Sequence, residues 1–313
     1  MTSIHPAERA GLLTDWGRRG LLLALAGGVL LACTRTPESP KAASGPVRPA
    51  EAVTQLASDL RRNDLVAYAR HALPPDLHAR IGNAWRDGRT IWPLTQLPLK
   101  NRLHGFLAVL SEPGAEKSLL LAHKRQFSGA QRELRSAAST LGLFATQYVG
   151  GADQYSAAER DHYAQLIAAL SQWGRSAPLA DSAQAQAAIP ELVTGARLTG
   201  LGAPGAFKAR GMEHSLAQLG PFLGRFKKVS QAYGLDFDQA LDSVDATLLE
   251  QKGGKAKVQM RYVLAGKPVS AVVDVERRRG RWYLTDLLRH AEAQAALSAP
   301  AAEAATQVAS RQH

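Results

Sequence analysis

After Asp236 the hydrophobic period of the chain changes from that of a helix to that of a strand, and this switch limits the fold more than any other feature. Val244, Ala246 and Leu248 alternate with Ser243, Asp245 and Thr247, and Gly253-Gly254 then marks a turn. Val258, Met260, Tyr262 and Leu264 alternate with Lys257, Gln259, Arg261 and Val263, up to a second turn at Gly266-Lys267-Pro268. Val269, Ala271, Val273 and Val275 follow, Arg279-Gly280 turns a third time, and Arg281-Trp282-Tyr283-Leu284 begins a last strand. Strict alternation with short glycine turns predicts a half-buried, four-stranded antiparallel meander. A helix over Leu287 to Ala296 is expected to cover it.

Everything before this switch reads as helix. Ser156-Ala157-Ala158-Glu159 is a capping box, followed by Tyr163, Leu166, Ile167, Leu170 and Trp173 on one face and by Gly174. A second helix is expected from Ser128 to Gly150, with Leu134, Leu141 and Tyr148 as its spine and Phe144 beside it. Pro74-Pro75 ends one helix and opens another, on which Leu77, Ile81 and Trp85 share a face. From Phe207 to Tyr233 the pattern stays helical, with a break expected near Gly220-Pro221. The fold class is therefore α+β, with a helical domain over 51–204 and a meander domain over 205–297. The proline-rich stretch to residue 50 reads as an extended tether, and 298–313, poor in large apolar groups, as a disordered tail.

The N-terminus has a different character. Trp16-Gly17-Arg18-Arg19-Gly20 precedes an unbroken apolar run from Leu21 to Ala32, which ends at Cys33, the single cysteine of the chain. Such a run suits a signal-peptide core and is too short for a bilayer span. One cysteine also excludes an intrachain disulfide framework or a zinc knuckle. Leu30-Leu31-Ala32-Cys33 resembles the lipobox of bacterial lipoproteins. That resemblance implies cleavage of a signal peptide over 1–32, diacylglycerol on the Cys33 sulfur and acylation of the new amine. Residues 33–50 would then be lipidated cysteine and tether. Thr34 stands where retained inner-membrane members carry Asp, which implies the inner leaflet of the outer membrane, facing the periplasm. Two or more acyl chains are what stable anchoring requires.

The 313 residues hold 38 Lys+Arg against 27 Asp+Glu, a formal +11. Residues 1–32 contain three arginines and two acids, so the processed chain keeps 35 cations and 25 anions. A basic surface suits anionic lipid, an acidic glycan or an acidic envelope protein. No nucleic acid is expected, because the chain is exported and its basic residues are not interleaved with aromatics along one stripe.

No catalytic residue is singled out. Gly200-Leu201-Gly202-Ala203-Pro204-Gly205 matches a dinucleotide fingerprint in letters, but it lacks a strand before it, and it reads as an interdomain linker. The histidines form no metal-ligand spacing, and those at 71, 78 and 162 read as surface or capping residues. Asp236/Asp238 and Asp242/Asp245 read as turn and capping groups. Trp85 reads as core, and Trp92 is open between core and surface. No cofactor or metal is called for.

The sheet half, with its Gly280-Arg281-Trp282-Tyr283-Leu284 strand, resembles nuclear-transport-factor-2-like and SnoaL-like domains. That resemblance implies a cone-like fold with a pocket between sheet and helices, here lined by Tyr262, Trp282 or Tyr283. The function expected is a non-catalytic binding, scaffolding or inhibitory lipoprotein; the alternative is small-ligand binding or hydrolysis in that pocket.

Overall fold

The computed structural model describes residues 45–96 and 102–297. Cys33, the signal segment and the 298–313 tail lie outside the described residues. The described chain begins with helices α1 (Pro49–Arg61), α2 (Leu65–Ala72) and α3 (Pro75–Arg86) and a short 3-10 turn at Leu94–Gln96. Then come α4 (Leu103–Ser111), α5 (Ala115–Gln126), α6 (Gln131–Gly150), α7 (Ala157–Ser176), α8 (Ser182–Thr199), α9 (Ala206–Ala232) and α10 (Phe237–Asp242). Strands β1 (Asp245–Lys252), β2 (Lys255–Leu264), β3 (Lys267–Arg278) and β4 (Arg281–Leu284) follow, and α11 (Thr285–Ala295) closes the series. The α+β class and the antiparallel meander in the order β1-β2-β3-β4 are as the alternation predicts.

Register places Val258 opposite Val273, Met260 opposite Ala271, and Tyr262 opposite Val269 on one buried face. The other face carries Lys257, Arg261, Val263, Ser270 and Val272 exposed. A sheet with one apolar face needs a cover. Helix α1 supplies it across all four strands, through its apolar side with Val53, Leu56 and Leu60. One contiguous apolar core therefore includes Leu56, Ile81, Leu166 and Leu216 together with Met260 and Trp282. Residues on both sides of 204/205 share this core, and the meander's cover comes from the far N-terminal end of the described chain.

The tether is also shorter than the reading to residue 50. Gly45 and Pro46 are buried against β4, where Trp282 N donates to Pro46 O at 3.0 Å and Arg281 Nη1 to Gly45 O at 2.6 Å. Pro49 then opens α1, with Glu51 accepting from the Arg48 and Val47 amides at 3.0 and 3.1 Å. Proline at the first helical position loses no bond, because that amide has no intrahelical partner.

Three helix details differ from expectation. Helix α6 starts at Gln131 and not at Ser128, whose hydroxyl meets Ser182 Oγ at 3.0 Å. Its buried residues are Ala138 and Ala145, while Phe144 and Tyr148 are 62% and 68% exposed. Close approach to α7 selects small residues: a Cβ on Gly142 would sit 2.5 Å from Ser171 Oγ. Helix α9 continues past Pro221 and breaks at Gly211 (φ 73°, ψ 178°), a conformation that glycine takes at no steric cost.

Candidate functional site

The richest cluster of polar and titratable side chains lies where the N-terminal end of α7 meets β2, α11 and the 3-10 turn. The capping box expected from the sequence is present: Ser156 Oγ accepts from the Glu159 amide at 3.1 Å, and Glu159 Oε2 accepts from the Ser156 amide at 2.8 Å. The same groups also hold α11. Ser156 Oγ donates to Asp286 Oδ2 at 3.1 Å, Arg289 Nη2 binds Glu159 Oε2, and His290 Nε2 lies 3.3 Å from Glu159 Oε1. Burial raises the Glu159 carboxyl and lowers the His290 imidazole, because each loses the water that would stabilise its charge.

One turn further along α7, His162 faces the sheet. Its Nε2 is 2.8 Å from the Tyr262 hydroxyl. Burial lowers His162 to about 4, so it is neutral at pH 7, and it raises Tyr262 well above the ordinary phenol value. Rings continue this contact away from the sheet: His162 stacks on Tyr163 at 5.9 Å, and Tyr163 meets the edge of Tyr155 at 5.0 Å. Further along α7, Gln165 donates to Ser270 O at 2.8 Å and accepts from Ser270 N at 2.9 Å. The side chain thus satisfies one residue, Ser270, in the stretch of β3 that the four-residue β4 leaves unpaired.

A second polar cluster joins α1 to α2. Asp59 is wholly buried; its Oδ2 accepts from His71 Nδ1 at 2.7 Å, and its Oδ1 from Arg62 Nη2 at 2.6 Å and Gln55 Nε2 at 3.2 Å. A buried carboxylate with three donors is satisfied as a structural group.

The three residues expected to line a pocket divide between the two faces of the sheet. Tyr262 and Trp282 share the buried face of the sheet, since Trp282 pairs with Arg277 and is two residues from Leu284, the partner of Val275. Tyr283 pairs with Glu276 on the opposite face, where it too is buried. Adjacent strand residues point to opposite sides, so Trp282 and Tyr283 cannot line one cavity together.

The Gly200–Gly205 phrase joins two helices, α8 and α9, with no strand before it. Asp236 caps α10 by accepting from the Gln239 amide at 2.8 Å. Asp238 accepts from Lys227 Nζ at 2.7 Å, and Arg61 Nε donates to Asp242 Oδ1 at 2.9 Å. Trp85 and Trp92 are both core, and Trp85 Nε1 donates to Trp92 O at 2.7 Å. Among the described residues no three His, Cys, Asp or Glu side chains are grouped to hold a metal, and no helix is long and apolar enough to cross a membrane.

Sequence reasoning missed His162 and His71 as partners of distant residues. Spacing along the chain carries no sign of contacts that span 100 and 12 positions. The only sequence cue for His162 was its place one helical turn from Glu159 and Leu166, on the apolar side. No family model, no curated protein and no solved structure matches this chain.

Proposed function

We propose that this protein is a lipid-anchored, periplasm-facing envelope lipoprotein whose folded region is a non-catalytic binding module. The observation that carries the reading is Cys33, the lone cysteine, placed where an apolar run behind two arginines gives way to a polar, proline-rich segment. That arrangement suits acylation of the thiol and tethering of the fold that begins twelve residues later.

The side-chain chemistry supports binding over hydrolysis. Two of the acid and base groups that burial perturbs are held in internal bonds: Glu159 by Ser156 and Arg289, and His162 by Tyr262. Asp59 is likewise held by Arg62, Gln55 and His71. A catalytic acid or base needs an atom left over for substrate. Surface for a partner exists on α6, where Leu143, Phe144 and Tyr148 are each more than 60% exposed.

The test is mass spectrometry of the membrane-bound protein with fractionation of a Cys33→Ser variant. The expected results are an N-terminal peptide starting at Cys33 with acyl mass on it, and release of the variant from membranes. A bare sulfur, or a variant that stays with the membrane fraction, overturns the reading.

A further inference from the structure

The incoming chain and two sheet turns meet at one end of the meander. Arg277 N donates to Gly254 O at 2.7 Å, which sets the β1–β2 turn beside the end of β3. Arg277 pairs with Trp282, whose amide binds Pro46 O at 3.0 Å, and Arg281 holds Gly45 O. The β1–β2 turn, the β3–β4 turn and the strap that leads toward Cys33 therefore lie side by side.

This end is rich in exposed cations: Arg48, Lys252, Lys255, Arg277 and Arg279. Three of them have carboxylate partners: Arg48 with Glu51, Lys252 with Glu250, and Arg279 with Asp76 at 3.4 Å. Lys255 and Arg277 make no ion pair among the described residues. Glu276, the cross-strand neighbour of Lys255, is already taken by Arg278 at 2.5 Å. Val47, 66% exposed, adds an apolar group at the same place.

We propose that this turn end of the sheet is the surface that meets an anionic lipid bilayer, with Lys255 and Arg277 as its free cations. The proposal rests on the lipoprotein reading for its choice of occupant: an acylated Cys33 would put a bilayer at the start of the strap, and the strap enters the fold here. Cations near an anionic bilayer attract it within a Debye length, so the contact is electrostatic and screened by salt. The geometry orients the meander with the β1–β2 and β3–β4 turns toward the lipid.

The experiment uses the chain from residue 34 onward, which contains every described residue and carries no acyl group. Its binding is measured to vesicles of phosphatidylcholine alone and of phosphatidylcholine with one third phosphatidylglycerol. Binding only to the anionic vesicles, weakening as salt rises, is expected. The double variant Lys255→Glu/Arg277→Glu should lose at least about tenfold in affinity, given that each cation at such a surface contributes about fivefold. Lys124→Glu/Arg125→Glu on α5, the same charge change elsewhere, should stay within about twofold of the parent.

Equal losses in the two double variants would reduce the effect to net charge and overturn the proposal. So would an absence of binding to anionic vesicles, or displacement by inorganic phosphate at matched ionic strength, which would assign the cations to a soluble anion. Displacement by duplex DNA at matched ionic strength would assign them to nucleic acid. Because this protein lacks Cys33, failure here is separate from failure of the acylation test.

Discussion

The Tyr262 hydroxyl on β2 and the His162 Nε2 on α7 lie 2.8 Å apart, and this bond ties the helical part of the chain to the buried face of the sheet. Both groups are buried, so neither can exchange the bond for water. Tyr262→Phe keeps the ring and removes the oxygen, leaving an imidazole nitrogen without a partner. The expected cost is about 1–3 kcal/mol in urea unfolding. Tyr148→Phe on the exposed side of α6 should change stability by less than about 0.5 kcal/mol.

The same histidine makes stability depend on pH. Burial lowers His162 to about 4 in the folded chain, against about 6.5 for a free imidazole. Between these values the unfolded chain binds a proton that the folded chain refuses, so this group draws stability down as pH falls from 6.5 toward 4. The contribution is roughly 3 kcal/mol by linkage. Glu159, whose carboxyl is raised by burial, acts in the opposite sense: its penalty is present above its folded value and relieved as pH falls. The two are separated by His162→Gln, which can keep a hydrogen bond to Tyr262. Urea unfolding of both proteins between pH 7.5 and 4.5 should show a shallower acid loss in the variant. Parallel curves would rule His162 out as the source.

The sheet and the α7 cap were legible because both are local. Alternation over β2 and β3 fixes which side chains are buried, and Ser156-x-x-Glu159 encodes a bond pair within three residues. What the sequence did not carry is partnership at a distance. Glu159 serves its own cap and also docks Arg289, 130 positions away, yet only the first role has a spacing signature. Phe144 and Tyr148 fit an apolar spine by periodicity, but a helix held by only one neighbour buries a narrow stripe, and Ala138 and Ala145 won it. Of Tyr262, Trp282 and Tyr283, the sheet pattern that made the three visible also puts the last on the face opposite the first two. Of the candidate site, then, Tyr262 and Glu159 were readable as single residues, and His162, His71 and Asp59 were not.

Asp59 offers a sharper test of burial. It is wholly inaccessible and holds Arg62, Gln55 and His71 at once. Asp59→Ala strips the carboxylate from all three donors and should cost about 3–5 kcal/mol, the usual range for removing one partner of a buried ionic cluster. His71→Gln, which leaves the carboxylate with Arg62 and Gln55 and can replace the lost donor, should cost about 1 kcal/mol. Equal costs in guanidinium unfolding would mean that the imidazole, and not the carboxylate, is the centre of the cluster.

Two glycines in helices predict opposite signs for one substitution. At Gly220 on α9 an added Cβ would lie 2.5 Å from the carbonyl oxygen of Asn63. Backbone cannot step aside as a flexible side chain does, and the turn at Asn63 is fixed by a φ of 59° and by the Asn63 N–Leu60 O bond at 3.0 Å. Gly220→Ala must therefore push α9 away from the α1–α2 turn, at an expected cost of about 1–3 kcal/mol for overpacking. At Gly105 on α4 nothing lies within 4 Å of an added Cβ, and the residue is exposed. There only the propensity difference remains, so Gly105→Ala should gain about 0.5–1 kcal/mol, chiefly by restricting the unfolded chain. Thermal melts of both variants check the pair. A stabilised Gly220→Ala would mean that α9 and the Asn63 turn stand further apart than the close packing described above.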